Sequence, residues 1–458
     1  MSNTHNNPSV DVLVGSPETS FLDTVAGILD GFYPYKLHHA SAIDQVLEAE
    51  YTPKLAILDG RKGNTIANEW TQSTKMTFPD CKVIVLHTSE MGIDFKLIKK
   101  NGADEVMHLH FDREFLSDMV LDLAPVDISG DHIPITALMP VDLRDMEPEM
   151  DINFDIYVHL PANRKTVLLR RAGDRVEQKH IDKFKSLSQQ MYIKKTQRKE
   201  FFEYARTVMS FRNSSIPVSM TEKFHRSKKT IYHFMSRFLN GGTTDFTEGR
   251  EILESCKNII QDLDLLKENS ATEAFQEIFR YSGNTRTLYH DCICMAAYGA
   301  FFAQVLGWPL EKREDAAIAG LLHNIGLSQL PSSVFTEPEL TPEDDMQFRL
   351  YPDRSVNMIK TKKVPISAAV ADAIAQHREK SNGKGFPRFL TNDGISDLGK
   401  LLIYSFSFLQ LTSLDDDIKG KTPMDAIETL KDDVISGKNE TDLLISTGIA
   451  KKAASLSL

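Results

Sequence analysis

Two stretches hold residue types that can do chemistry. The first reads Leu321-Leu322-His323-Asn324-Ile325-Gly326. His323 closes an apolar helical run and Gly326 stops the helix. An imidazole held at a helix end can ligate a metal, but its neighbour Asn324 adds only a neutral carbonyl oxygen. The second is the loop Asn382-Gly383-Lys384-Gly385-Phe386-Pro387, with Arg378 and His377 just before it. A third candidate, Asp59, ends the apolar run that starts at Lys54. Carboxyl ends of parallel strands are where open sheets bind ligands; the plainer reading is an aspartate capping a turn.

The elements that must hold these residues follow from periodicity. Val10 to Val14, Lys54 to Asp59 and Cys81 to His87 are short apolar runs, and Ser16-Pro17-Glu18 is a helix start. Amphipathic stretches lie between them, which predicts an α/β doubly wound parallel sheet over residues 9–125. Residues 126–140, with Ser129-Gly130-Asp131 and two prolines, read as a linker. Ile152 to Leu160 alternates like a strand, Pro161 to Arg164 turns it, and Lys165 to Arg171 returns. Helix over Glu177 to Leu187 and strand at Met191 to Ile193 complete a small α+β module within 126–197.

Residues 198–270 read as a helical linker. Phe201, Phe202, Tyr204, Ala205 and Val208 recur at helical spacing, as do Phe224, Ile231, Phe234, Met235 and Phe238. Ile216-Pro217 and Gly241-Gly242 interrupt them. Such a stripe is core or a helix-pairing face. Residues 271–458 are helix after helix, including Leu288–Leu306, Lys312–His323, Pro342–Lys360, Ser367–Gln376, Leu398–Ser413 and Pro423–Lys431. The expected architecture is multidomain, ending in an all-α bundle with a polar pocket between helices.

Composition narrows the function classes. The 458 residues are 41% hydrophobic and 26% charged, with net charge −11. That balance argues against a general nucleic-acid binder and against an anionic membrane surface. Without an apolar run of about 18 residues or a signal-like start, a soluble cytoplasmic protein is expected. The four cysteines, Cys81, Cys256, Cys292 and Cys294, form no Cys-x-x-Cys pair. They are expected to be buried reduced thiols.

With Gly102-Ala103-Asp104-Glu105 near its end, the first segment resembles a response-regulator receiver domain. The resemblance places Asp59 at the phosphorylated aspartate and Thr88 at the switch hydroxyl. The acidic pair that holds magnesium falls on Gly15 and Ser16. The lysine position falls on Leu109, followed by His110, and the switch aromatic on Val106. Magnesium needs carboxylate oxygens, and it neutralises the transferring phosphoryl group. A receiver not phosphorylated in the usual manner is therefore expected, with an outer face available for docking or dimerisation.

The final segment resembles the HD-GYP domains, phosphodiesterases that open cyclic di-GMP. Tyr289-His290-Asp291 opens the first helix, and His323-Asn324-Ile325-Gly326-Leu327 fits the His-Asp-Ile-Gly-Lys segment. Leu330 to Phe335 and Leu340 to Glu343 fit the connecting loop, and Tyr351-Pro352 fits a histidine-proline. His377-Arg378-Glu379 fits His-His-Glu, the loop ending Gly385-Phe386-Pro387 fits Gly-Tyr-Pro, and Lys400 to Phe406 fits the helix of the last aspartate. At the ligand positions this implies, His290, His323 and His377 remain histidines; the others are Asn324, Tyr351, Arg378 and Phe406.

Each replacement weakens a metal centre, which needs anionic oxygens and an acidic bound water. Phe406 offers no ligand, Tyr351 is a poor one until ionised, and Arg378 is a permanent cation. Three readings follow. A non-catalytic regulator or scaffold, without cofactor, acts through contacts with signalling proteins; in the family the Gly-Tyr-Pro loop is associated with diguanylate cyclases. A residual phosphodiesterase uses one metal on His290, His323 and His377. A receptor binds cyclic di-GMP without metal, with Arg378 and Lys384 on a phosphate, unless Arg378 instead pairs with Glu379, Asp353 or another local carboxylate. The first is preferred, with self-association through the receiver or the middle helices as a further expectation.

Overall fold

The structure is a computed structural model. It describes residues 10–29, 35–88, 90, 92–126, 133, 135–141, 143–160, 165–186, 190–211, 220–239, 245–267, 271–282, 288–413 and 420–453. The chain divides into two compact units, Met1–Lys223 and Phe224–Leu458.

The first unit opens with five parallel strands: β1 (Val10–Gly15), β2 (Tyr35–Ala40), β3 (Leu55–Asp59), β4 (Lys82–His87) and β5 (Glu105–His108). Helices α1 (Thr19–Leu29), α2 (Ile43–Leu47), α3 (Asn64–Thr77) and α4 (Phe95–Lys100) connect them, and α5 (Arg113–Leu123) follows. All five residues of β3 are buried, so its Leu-Ala-Ile-Leu run is covered on both faces. The order β2-β1-β3-β4-β5 is doubly wound, and its direction reverses beside β1 and β3. Ligand crevices of such sheets open there, at the carboxyl ends. Ser16 and Asp59 stand at those ends.

A second, antiparallel sheet follows, in the order β6-β9-β7-β8. Its strands are β6 (Leu138–Val141), β7 (Ile156–Leu160), β8 (Lys165–Arg170) and β9 (Met191–Lys194). Helices α6 (Gln178–Ser186) and α7 (Arg198–Phe211) complete this half. Phe154, Ile156, Met191 and Ile193 form one buried core with Phe201, Tyr204, Ala205 and Val208 of α7.

The division between units falls inside α8 (Met220–Leu239). The second unit is helical: α9 (Phe246–Asp262), α10 (Ala271–Ser282), α11 (Leu288–Val305), α12 (Leu310–Leu322), α13 (Ser333–Thr336) and α14 (Pro342–Arg349), then α15 (Tyr351–Thr361), α16 (Ala368–Gln376), α17 (Asp397–Thr412), α18 (Pro423–Ile435) and α19 (Leu443–Ala453). From Tyr289 to Ala303 every residue of α11 is buried, which makes it the central helix. Helix α12 lies tightly against it: a Cβ on Gly320 would meet the Ala296 nitrogen at 2.5 Å.

Several sequence expectations need correction. The stretch 126–140 is not merely a linker. Val126, Ile133, Ala137 and Leu138 are buried with Leu121 and Tyr157, and Pro140 lies in β6, on the sheet edge where a missing N–H is tolerated. The strand expected from Ile152 starts at Ile156. Ile152 instead bonds through its backbone to Gly173 and Asp174. The helical linker of 198–270 is not one piece: α7 belongs to the core of the first unit and α9 packs on α12 in the second. The helix expected over Pro342–Lys360 breaks at Leu350, where Pro352 enters the first turn of α15. The turns expected at Ser129–Asp131, Pro161–Arg164, Ile216-Pro217 and Gly241-Gly242 lie outside the described residues.

Candidate functional site

Helices α12 and α16 each end on a histidine. His323 caps α12, and its Nδ1 lies 2.7 Å from the Gly320 carbonyl; His377 caps α16, and its Nδ1 lies 2.7 Å from the Ile374 carbonyl. A carbonyl only accepts, so each Nδ1 carries the proton and each Nε2 presents a lone pair. The two rings meet edge to face, with centroids 5.0 Å apart. Burial pushes His377 well below the ordinary imidazole range, and neighbouring His323 adds to the shift. The ring is neutral near pH 7.

Tyr351 occupies that lone pair. Its hydroxyl lies 2.7 Å from His377 Nε2, and the same oxygen accepts from Arg378 at 3.2 Å. The Arg378 guanidinium is surrounded by aromatic rings: Phe406 at 4.4 Å, Phe386 at 4.8 Å, Phe348 at 5.7 Å and Tyr351 at 5.9 Å from its carbon. Ring faces attract a cation, more strongly as water is excluded. Phe348 and Phe386 arrive from α14 and from the loop, so sequence alone did not assign them to this pocket.

The pairing of Arg378 with Glu379 or Asp353 is not found. Asp353 pairs with Arg388 at 2.6 Å. Buried Glu379 accepts the backbone N–H of Arg388 at 2.7 Å and of Leu390 at 3.0 Å. Among the described residues no carboxylate pairs with Arg378. Glu379 thus clamps the loop on both sides of Phe389, which has a left-handed φ of 55° and is 58% exposed. Gly385 is required where this loop crosses Glu379: a Cβ there would meet the Glu379 backbone at 2.3 Å. Lys384 is exposed, and its described contact is its backbone N–H on Asn382.

Asn324 uses both ends of its amide. Its Oδ1 accepts the Cys292 thiol at 2.9 Å and its Nδ2 donates to the Leu288 carbonyl at 3.1 Å. It therefore ties the end of α12 to α11. His290 is buried one turn before Cys294, whose sulfur lies 3.6 Å from the ring nitrogens. Leu327, which the resemblance sets against the lysine of the His-Asp-Ile-Gly-Lys segment, is half-buried.

These positions do not fit a metal ion. The His377 nitrogen that a metal would take holds the Tyr351 proton, the Asn324 carbonyl holds a thiol, and Arg378 brings a fixed positive charge. Among the described residues, no group of three or more His, Cys, Asp or Glu side chains is arranged to hold one.

At the end of β3, Asp59 is 1% exposed and fully engaged. Its Oδ1 accepts from the Arg61 backbone N–H at 3.0 Å and from Arg61 Nε at 2.9 Å; its Oδ2 accepts from Ser16 at 2.7 Å and from Arg61 Nη2 at 2.7 Å. Burial alone would raise this carboxyl, but the Arg61 and Ser16 hydrogen bonds outweigh it and hold it below its ordinary value. Arg61 also reaches Glu18 at 3.0 Å. Neither residue was singled out for this site from sequence, although Arg61 stands only two positions from Asp59. Thr88 is buried at the end of β4, while Val106 and Leu109 belong to the core. His110 is brought within electrostatic reach of Arg61 and Arg113.

Residues 254–436 match the family model described as an HD domain. The chain is 28% identical over 144 residues to the cyclic di-GMP phosphodiesterase PA4108 of Pseudomonas aeruginosa. That match covers 30% of this chain and spans about a third, 34%, of the relative's length. Among solved structures, Bd1817, an HDG"Y"P protein from Bdellovibrio bacteriovorus, aligns with a TM-score of 0.41 at 19% identity. The alignment covers 69% of this chain and 98% of that one. The helical region thus matches an HD-domain model and is similar in sequence to a cyclic di-GMP phosphodiesterase. Among the described residues, no helix is long and apolar enough to cross a membrane.

Proposed function

We propose that this chain is a non-catalytic signalling protein. In this reading the helical unit is an HD-GYP-type domain that has lost its metal centre, and residues 9–125 are a receiver-like domain that is not phosphorylated. The protein acts through contacts with other signalling proteins, diguanylate cyclases among them, in cyclic di-GMP or two-component-type signalling. One observation carries the reading: the hydrogen-bonded chain Arg378–Tyr351–His377 puts a cation and a phenol where a hydrolytic centre needs metal and carboxylate. The clamped loop with exposed Phe389 supports the contact role, since exposed aromatics anchor interfaces.

Metal analysis of the purified full-length chain and an assay for cyclic di-GMP cleavage test this reading. The expected result is no stoichiometric iron, manganese or zinc and no cleavage. Cleavage abolished by a chelator and by His323→Ala overturns it.

A metal-free cyclic di-GMP receptor is the second reading. It is favoured by Arg378, which has no carboxylate partner among the described residues and donates only one described hydrogen bond, to Tyr351. Its remaining N–H groups suit a phosphate. Titration calorimetry with cyclic di-GMP at about 100 µM protein, well above a micromolar dissociation constant, separates the two: heat lost in Arg378→Ala favours the receptor.

A further inference from the structure

We propose that Arg61 is the resident cation of the strand-end site, and that it holds divalent ions off Asp59 and Glu18. The placement of one nitrogen carries the inference. Arg61 Nη2 lies 2.7 Å from Asp59 Oδ2 and 3.0 Å from Glu18 Oε2, so it sits between two carboxylates. Its Nε and its own backbone N–H take the other Asp59 oxygen. Ser16, the residue after β1, fills the last acceptor direction of Asp59. Phe21 of α1 lies under the guanidinium, with its ring centre 5.1 Å from the guanidinium carbon. The Asp59 side chain is fully buried, whereas those of Arg61 and Glu18 are 23% and 38% exposed. The guanidinium therefore closes the site from the solvent side.

The chemistry follows from charge and tether length. A buried carboxylate needs a counter-charge. A divalent ion would approach the same oxygens, to about 2.1 Å for one the size of magnesium. Arg61 competes from two residues away, an intramolecular contest at an effective concentration of roughly millimolar or above. It also brings planar, two-pronged hydrogen bonding that an aqueous ion lacks. Take the guanidinium away, and Asp59 is left without a cation, while Glu18 keeps Lys62 on one oxygen at 2.5 Å and loses the cation on the other.

The test uses manganese as the probe, counted by electron paramagnetic resonance on the full-length chain. Arg61→Ala is expected to bind one more Mn2+ than the wild type, and Arg61→Ala/Asp59→Asn to lose it again. Arg61→Gln keeps a neutral donor near Asp59 and serves if the alanine variant fails to fold, as judged by circular dichroism. No added manganese in a folded Arg61 variant overturns the proposal. So does wild-type manganese binding that Asp59→Asn removes. Loss of fold in both Arg61 variants assigns the residue a structural role only and also overturns it. None of these outcomes bears on the helical unit, so the loss of its metal centre stands or falls separately; wild-type manganese binding at Asp59 would count only against the unphosphorylated receiver-like reading.

Discussion

The Tyr351 hydroxyl donates a hydrogen bond to Nε2 of His377 at 2.7 Å, while its oxygen accepts one from Arg378 at 3.2 Å. The polarity runs one way, from guanidinium through phenol and imidazole to the Ile374 carbonyl. Each group satisfies the next, so a neutral imidazole and a half-buried cation coexist without a carboxylate. Chains of this kind polarise their members and rigidify the core around them.

Tyr351→Phe breaks that chain with almost no change in shape. It leaves the buried His377 nitrogen without a donor and removes the one described acceptor of Arg378. A buried unsatisfied group costs about 1–3 kcal/mol. Urea denaturation is expected to show a loss of that size. A midpoint equal to that of the wild type would mean that water or a neighbour replaces the hydroxyl, and that the chain is incidental.

Asn324→Asp introduces the carboxylate that the resemblance to HD-GYP domains implies at this position, yet the change is expected to harm the fold. Asn324 Nδ2 donates to the Leu288 carbonyl, and an ionised carboxylate would set oxygen against oxygen there. The site is 2% exposed, so solvent cannot relieve the repulsion. A loss of at least about 2 kcal/mol is expected, since burying an unpaired charge costs more than losing a neutral hydrogen bond. Increased stability together with metal uptake would show that the pocket is still poised for a metal.

Much of this was readable in the sequence, and the misses share a cause. β3 and β4 are visible as apolar runs because both their faces are covered. The helices that carry His323 and His377 are visible because apolar spacing and the terminal histidine coincide. β6 was hidden because Pro140 reads as a break unless the strand is known to lie at an edge. Glu18 was hidden from Asp59 because the two lie far apart along the chain and meet only when β1 and β3 pair. Phe348 reads as an ordinary apolar residue, and Phe386 as part of the Gly-Phe-Pro loop; only the packed structure turns both toward Arg378. Pattern reports the face a residue presents, whereas these contacts depend on which elements become neighbours.

The first unit is expected to weaken in mild acid. His87 and His108 lie at the ends of β4 and β5 with ring centroids 5.2 Å apart; Phe95 packs on His87, Asp112 accepts the His108 backbone N–H at 2.7 Å, and Glu90, His110, Arg61 and Arg113 are further charged or titratable groups around the cluster. Burial pushes His87 down to about 4 and His108 well below the usual range. A free imidazole titrates near 6.5, so between about pH 6.5 and 4 the unfolded chain binds protons that the folded chain refuses. Stability is therefore complete above pH 6.5 and is lost as the pH falls toward 4. For His87 alone the loss between pH 7 and 5 is on the order of 2 kcal/mol. Denaturation at the two pH values should show it, and His87→Gln should shrink the difference; equal stability at both values would refute the assignment.

Glu379 offers a test confined to the loop. Its two oxygens hold the amides on either side of Phe389, so the left-handed Phe389 backbone is fixed from below. Such a conformation costs about 1–3 kcal/mol and persists only where its surroundings impose it. Glu379→Gln replaces one acceptor with a donor, which must turn away from an N–H. One of the two bonds is lost, and the remaining one cannot hold both sides of the turn. Hydrogen exchange is expected to quicken at the Arg388 and Leu390 amides, while the His377 end of α16 stays protected. If contacts run through this loop, the same variant should weaken partner binding without changing the stability of the helical unit by more than about 1–2 kcal/mol. Unchanged exchange at both amides would show that the clamp does not govern the loop.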